Sequence, residues 1–261
     1  RDAVALVPVG ISPKLAGQYN LSHSSFAVCR TIRTTTGQIR RFPPTRPMHI
    51  IRDGPDQAAT VLILAHGAGA GSDSEFMEFF AQSLTSPELA GGLAVCRFDF
   101  PYMVTRRSTG IKRPPDRAAA LTETWHQVIN WVRQSSTPPH RLFIGGKSMG
   151  GRIASMVAEE EKVDGIVCLG YPFHPPGKPD KLRTEHLEDL NIPMLVCQGE
   201  RDVFGHRAES NSWRLSRSIQ FSWLTDGDHS FKPRKRSGLT EAENRTTACQ
   251  SIVEFIAKVQ R

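Results

Sequence analysis

From Met48 onward the chain alternates short apolar runs with longer amphipathic ones. The short runs predict strands over 48–52, 61–65, 93–98, 142–145, 163–170, 194–198 and 219–224. The longer ones predict helices over 74–84, 117–134, 149–161 and 241–259, with a helical piece inside 181–190 and a short stretch near 205–212. In the second helix Leu121, Trp125, Val128, Ile129 and Val132 recur at helical spacing, which reads as one core-facing stripe. Asp73 or Ser72 is placed to cap the first helix. Strands alternating with helices predict an α/β fold with a mostly parallel central sheet and helices on both faces. In such a sheet, functional residues collect beyond the carboxyl ends of the strands. No internal repeat and no second folded domain stand out, so 48–261 reads as one domain.

One of those strand-to-helix junctions carries Gly146-Lys147-Ser148-Met149-Gly150. Strand, sharp turn and helix are the context in which G-x-S-x-G forms a nucleophile elbow. A serine there takes a strained backbone conformation, and bulky residues two positions either side would clash. Its hydroxyl then stands at a helix N-terminus, where free N–H groups can receive developing negative charge. A P-loop ending in Gly-Lys-Ser would need glycine at 141, where the chain has Arg, followed by a flexible loop instead of a buried strand. Alone, the pentapeptide also fits an ordinary turn with a surface serine.

Partners for Ser148 are expected downstream. A serine hydroxyl needs a base to take its proton, usually a histidine oriented by a carboxylate. The 194–198 strand runs into Gly199-Glu200-Arg201-Asp202, and the 219–224 strand into Asp226-Gly227-Asp228-His229. Asp202 and His229 fit the acid and base slots in the order Ser, acid, His. Glu200 is an alternative acid, whereas Asp226 and Asp228 lie too near His229 in sequence. The oxyanion donors are expected at the Met149 N–H and in the loop His66-Gly67-Ala68-Gly69-Ala70-Gly71, with Ala68 first and Gly67 or Gly69 as alternatives.

Charge changes the picture only at one end. Residues 1–47 hold seven basic residues and one acid, a net +6, which leaves 48–261 with +1 of the total +7. The folded part therefore lacks the basic field that nucleic acid requires. The basic extension, 1–47, fits a disordered tail, a transit peptide or sequence ahead of a true start at Met48. The five cysteines lack metal-ligand spacing; Cys96, Cys168, Cys197 and Cys249 read as reduced core thiols of a cytoplasmic protein. No apolar run approaches the ~20 residues of a membrane span.

Residues 48–261 resemble the α/β-hydrolase superfamily. Gly-Lys-Ser-Met-Gly-Gly-Arg at 146–152 is similar to a small branch of hydrolases related to dienelactone hydrolase, which includes the hydrolase-like domain of a metazoan chromatin-complex subunit. The loop at 66–71, Phe98-Asp99-Phe100-Pro101-Tyr102-Met103, Gly170–Lys178 and Gln198–Asp202 carry the same resemblance. It implies a Ser148, Asp202, His229 triad, and a serine hydrolase working through such a triad needs no metal or organic cofactor. Dienelactone hydrolase carries a cysteine nucleophile, so its activity does not transfer to this serine. Only 171–192 fills the position of a lid, too short for a cap domain, which implies an open site suited to a small ester. The loop 99–117 carries Arg106 and Arg107 and is placed to overhang the site; it reads either as a solvated basic loop or as a binder of a carboxylate or phosphate on the substrate. His66, Gly67, Lys147 and His174 are further candidates to touch substrate. The expected function is hydrolysis of a small carboxylic ester or thioester through an acyl-enzyme. The alternative is a silent hydrolase-like scaffold for protein interaction.

Overall fold

The computed structural model describes residues 48–90 and 92–259. It also describes the backbone of two short strands before them, β1 (Thr31–Arg33) and β2 (Ile39–Arg41), paired antiparallel. The readings made for the remainder of 1–47, Cys29 included, lie outside the described residues. Seven strands form the main sheet: β3 (Ile50–Asp53), β4 (Thr60–Ala65), β5 (Leu93–Phe98), β6 (Arg141–Lys147), β7 (Gly165–Leu169), β8 (Met194–Gly199) and β9 (Ile219–Leu224). Their order is β3-β5-β4-β6-β7-β8-β9. Only β3 runs antiparallel to its neighbour, and the other five pairings are parallel.

The helices are α1 (Glu75–Thr85), α2 (Pro87–Ala90), α3 (Pro101–Thr109), α4 (Ala118–Arg133), α5 (Met149–Val157) and α6 (Glu241–Val259). Strand period decides which face each side chain joins. From β4, Val61, Ile63 and Ala65 enter one core with Trp125, Val128 and Ile129 of α4 and Ile153 and Ala154 of α5. Leu62 and Leu64 enter the other, with Phe80 of α1 and Ile252 and Phe255 of α6. Both faces are covered, so β5, β7 and β8 are buried at every position. That double burial is why they read as continuous apolar runs rather than alternating ones.

Four readings need correction. The basic segment 99–117 is no free loop, since α3 occupies its first half. Neither Asp73 nor Ser72 caps α1; the N-cap is Ser74, without a side-chain cap bond. Asp73 instead holds Arg107 at 2.6 Å, and the Ser72 N–H donates to Asp99 at 2.8 Å. The helix from 149 stops at Val157, not 161, and the chain then turns through Lys162 at φ 48°. The segments near 181–190 and 205–212 are 3-10 turns, Glu185–Leu187 and Arg207–Ser212.

Among the described residues, no lid domain covers the carboxyl ends of the strands. The segment after β7 buries Tyr171, Phe173, Leu187 and Leu190 against the sheet instead. Phe173 stacks on Trp213 with ring centres 3.9 Å apart. Cys96, Cys168, Cys197 and Cys249 are buried free thiols. No helix among the described residues is long and apolar enough to cross a membrane.

Candidate active site

The strand β6 delivers Ser148 to the turn before α5, and close backbone packing dictates the glycines around it. A Cβ on Gly146 would lie 2.1 Å from the Ala65 carbonyl oxygen, and one on Gly150 would lie 2.4 Å from the same atom. Residues two positions either side of Ser148 must therefore lack side chains. Ser148 has φ 51° and ψ −115°, a conformation that costs an L-residue energy and that the surrounding packing holds in place. Its N–H donates to the Leu169 carbonyl at 3.1 Å, fastening the turn to the end of β7. The Met149 N–H heads the first turn of α5, where no intrahelical partner exists.

His229 lies 81 residues from Ser148, and its Nε2 sits 2.9 Å from Ser148 Oγ. Its Nδ1 sits 2.7 Å from Asp202 Oδ2. A carboxylate only accepts, so Nδ1 carries the ring proton and Nε2 is free to accept from the serine hydroxyl. Burial pushes the His229 imidazole below its ordinary value. The Asp202 hydrogen bond opposes that shift and the Lys147 charge adds to it. The loop is shaped by Asp228, whose Oδ1 accepts the N–H groups of Ser230 at 2.8 Å and Lys232 at 3.0 Å.

Asp202 is fully buried after β8, where Oδ1 accepts the Phe204 N–H at 2.9 Å. Gln198 donates to Oδ2 at 2.9 Å and accepts the Tyr171 N–H at 2.7 Å. This glutamine locks the acid loop to the loop after β7, a role that no catalytic motif assigns to it. Its signal was present: one polar residue inside an apolar strand that both faces bury. The competing acids are engaged elsewhere. Glu200 accepts the Asp226 N–H at 3.0 Å and pairs with Arg207. Asp226 binds Arg234 at 2.8 Å.

The glycine-rich loop after β4 lies beside the serine. A Cβ on Gly67 would stand 3.7 Å from Ser148 Cβ. The buried His66 accepts the Phe100 N–H on Nε2 at 3.1 Å. Its proton is therefore on Nδ1, which donates to the Gly67 carbonyl at 2.6 Å. Burial keeps this ring below its ordinary pKa, hence neutral. Tyr102 Oη donates toward the carbonyls of Gly67 at 3.2 Å and Ala68 at 3.1 Å. In a planar trans peptide the next N–H points away from the carbonyl, so these bonds turn the Ala68 and Gly69 N–H groups to the side opposite Tyr102.

Several candidates for substrate contact have other employment. His66 and His174 are buried; the His174 ring nitrogens meet the Pro175 carbonyl at 2.9 Å and Glu209 at 2.8 Å. Neither imidazole has a nitrogen left for substrate. Arg107 spans Asp73 and Asp99. Arg106 donates to the Gly69 carbonyl at 3.1 Å. Both brace the glycine-rich loop. The Lys147 ammonium donates to the His229 carbonyl and lies 4.9 Å from the Phe76 ring centre and 5.3 Å from that of Phe231. Burial lowers its pKa to about 8 against the attraction of Asp202 and Asp228.

Among the described residues, no group of three or more His, Cys, Asp or Glu side chains is arranged to hold a metal ion.

Comparison with known proteins agrees with this architecture. A putative carboxymethylenebutenolidase of Salmonella typhimurium strain LT2 is 25% identical over 176 residues, covering 61% of either chain. The present chain thus spans about three fifths of that relative. A dienelactone hydrolase from Anabaena variabilis superposes with a TM-score of 0.64 at 18% identity, covering 90% of this chain and 98% of that one. An α/β serine hydrolase homologue from Coxiella burnetii gives 0.61 at 18% identity, over 90% and 99%. A lidless α/β serine hydrolase from Xanthomonas campestris gives 0.58 at 20%, over 88% and 94%. The model of the alpha/beta hydrolase domain matches residues 58–257, from the strand that leads into the glycine-rich loop to the end of α6. With the sheet order, the elbow and that match in agreement, the chain belongs to the alpha/beta hydrolase family.

Proposed function

We propose that the protein is a serine hydrolase that cleaves small carboxylic esters, thioesters included, through an acyl-enzyme. The observation that carries this reading is the unbroken hydrogen-bond relay from Ser148 through His229 to Asp202. In the first half-reaction Ser148 Oγ attacks the acyl carbon while its proton passes to His229 Nε2. The tetrahedral oxygen takes up its charge against the Met149 N–H and the Ala68 N–H. Asp202 stabilises the imidazolium, and His229 then returns the proton to the departing alkoxide or thiolate. Water, deprotonated by His229, releases the acid in the second half. The open site supports a small, water-soluble substrate over a lipid aggregate.

The same relay weighs against the scaffold reading, which has no use for a neutral histidine aimed at a strained serine. A fluorophosphonate probe separates the two. Labelling of the parent protein and not of Ser148→Ala supports the enzyme. An unlabelled parent supports the scaffold. A panel of matched ester, thioester and peptide substrates then assigns the bond class.

A further inference from the structure

Beside the triad stand two arginines that the relay does not use. Arg152 sits in the first turn of α5, and its N–H donates to the Ser148 carbonyl at 3.0 Å. Helix side chains lean toward the N-terminus, so Arg152 covers the turn that carries the serine. Arg183 belongs to the segment after β7, and its backbone is fixed on both sides. Its N–H donates to the Phe173 carbonyl at 2.8 Å, and its own carbonyl accepts from Tyr171 Oη at 3.1 Å. Tyr171 directly follows Gly170, where a Cβ would stand 3.3 Å from Cε1 of His229. Arg152 thus sits one helical turn from the nucleophile, and Arg183 stands on the segment that the Tyr171 hydroxyl fastens to the loop after β7.

Arg97, Arg107, Arg201 and Arg245 each pair with a carboxylate. Among the described residues neither Arg152 nor Arg183 does, and Arg152 Nε is buried without a hydrogen-bond partner. The neighbours are hydroxyls and an imidazole. Ser155 Oγ meets the Arg152 carbonyl at 2.8 Å and His186 Nε2 at 2.9 Å. Burial and the Arg152 charge push His186 down to about 4, so it is neutral and adds no negative charge. Arg183 is held below its ordinary value by burial and then by Arg152, the mark of two like charges near each other. Two half-buried guanidinium groups without an acid are costly, and an incoming anion relieves that cost.

We propose that Arg152 and Arg183 form an anion-binding subsite next to Ser148, which takes the free carboxylate or phosphate of an anionic ester. The substrate assignment rests on the serine-hydrolase reading, whereas the anion binding does not. Guanidinium forks suit both carboxylate and phosphate. This subsite replaces the one expected at Arg106 and Arg107, which brace the glycine-rich loop instead.

Two measurements test it on the full chain. The first needs no turnover: Ser148→Ala protein is titrated with adipate and with inorganic phosphate against chloride at matched ionic strength, reading heat or unfolding midpoint. Binding of either anion is expected, lost in Ser148→Ala combined with Arg183→Met and partly kept with Arg183→Lys. No binding, or binding equal in all three proteins, overturns the subsite. The adipate and phosphate arms tell which anion is preferred.

The second compares mono-p-nitrophenyl adipate with neutral p-nitrophenyl hexanoate. The ratio of kcat/KM for adipate over hexanoate should fall roughly 10–100-fold in Arg152→Met and in Arg183→Met, the range for hydrogen bonds to charged groups. A ratio unchanged in both, or one that falls in Arg106→Met and not in Arg152→Met, overturns the proposal while leaving the hydrolase reading intact. A parent that cleaves neither ester and resists the fluorophosphonate defeats the hydrolase reading, and the titration alone then decides the subsite.

Discussion

At the scale of single residues, His229 sets the expected pH response. Its folded pKa is below the ordinary histidine value because burial disfavours the imidazolium. The proposed mechanism needs the neutral ring, so kcat/KM should rise with pH through a midpoint below about 6.5 and then level off. Lys147 contributes to that depression by its charge. Asp202 and Asp228 face Lys147 with opposite sign and Arg245 with like sign. Lys147→Met should therefore move the acid midpoint upward in the pH–kcat/KM profile. A midpoint that stays or falls would remove the electrostatic role and leave Lys147 as packing between Phe76 and Phe231. Lys147 was legible as a cation beside the nucleophile, but not its direction, because a lysine's four-carbon stem can reach either side of a turn. The roles of Gln198 and Tyr102 were hidden for another reason: their work is done on backbone and on the acid, and the one sign of it was a polar residue, Gln198, inside the apolar β8 run.

Elements show where periodicity carries information and where it stops. The central strands were readable within about two residues because burial on both faces leaves them apolar throughout. The helix α4 was readable because one stripe of it is buried. By contrast α3 buries only Tyr102 and Met103, and from Thr105 to Thr109 it is Arg, Ser and Thr alone, so it offers no stripe to read. It forms with Pro101 at its first position and Gly110 closing it at φ 72°. Its job is to present Tyr102 and Arg106 to the carbonyls of the glycine-rich loop. Tyr102→Phe should release that loop, lowering kcat several-fold while the unfolding free energy falls by only about 1 kcal/mol, the worth of a typical hydrogen bond. Steady-state kinetics beside urea unfolding checks both; a loss confined to stability would make the contact purely structural. The glycines of the elbow have the opposite balance. Gly146→Ala must displace the Ala65 backbone. It should cost roughly 1–3 kcal/mol of stability as overpacking, read as a drop in the urea midpoint.

Across the whole molecule, the order of elements decides which loops meet. Ser148, Asp202 and His229 follow β6, β8 and β9, and parallel strands bring those three ends to one edge of the sheet. What remained hidden were properties of side-chain partners. The basic segment at 99–117 looked free because sequence does not reveal that Asp73 and Asp99 meet Arg107. All residues of the relay and of the glycine-rich loop lie in 48–261, which we propose is the hydrolase domain. Removing residues 1–47 should accordingly keep kcat/KM on a neutral ester within about twofold, and a larger fall would place part of the working site in the basic extension.

The central claim is covalent catalysis at Ser148, and a trapped intermediate tests it most directly. The protein is mixed with excess p-nitrophenyl ester, quenched in acid and digested, and the peptide containing Ser148 is weighed by mass spectrometry. The expected result is a peptide heavier by one acyl group, and no such peptide from Ser148→Ala, which should also lose turnover. Undiminished hydrolysis by Ser148→Ala, with no acylated peptide from either protein, would contradict the account.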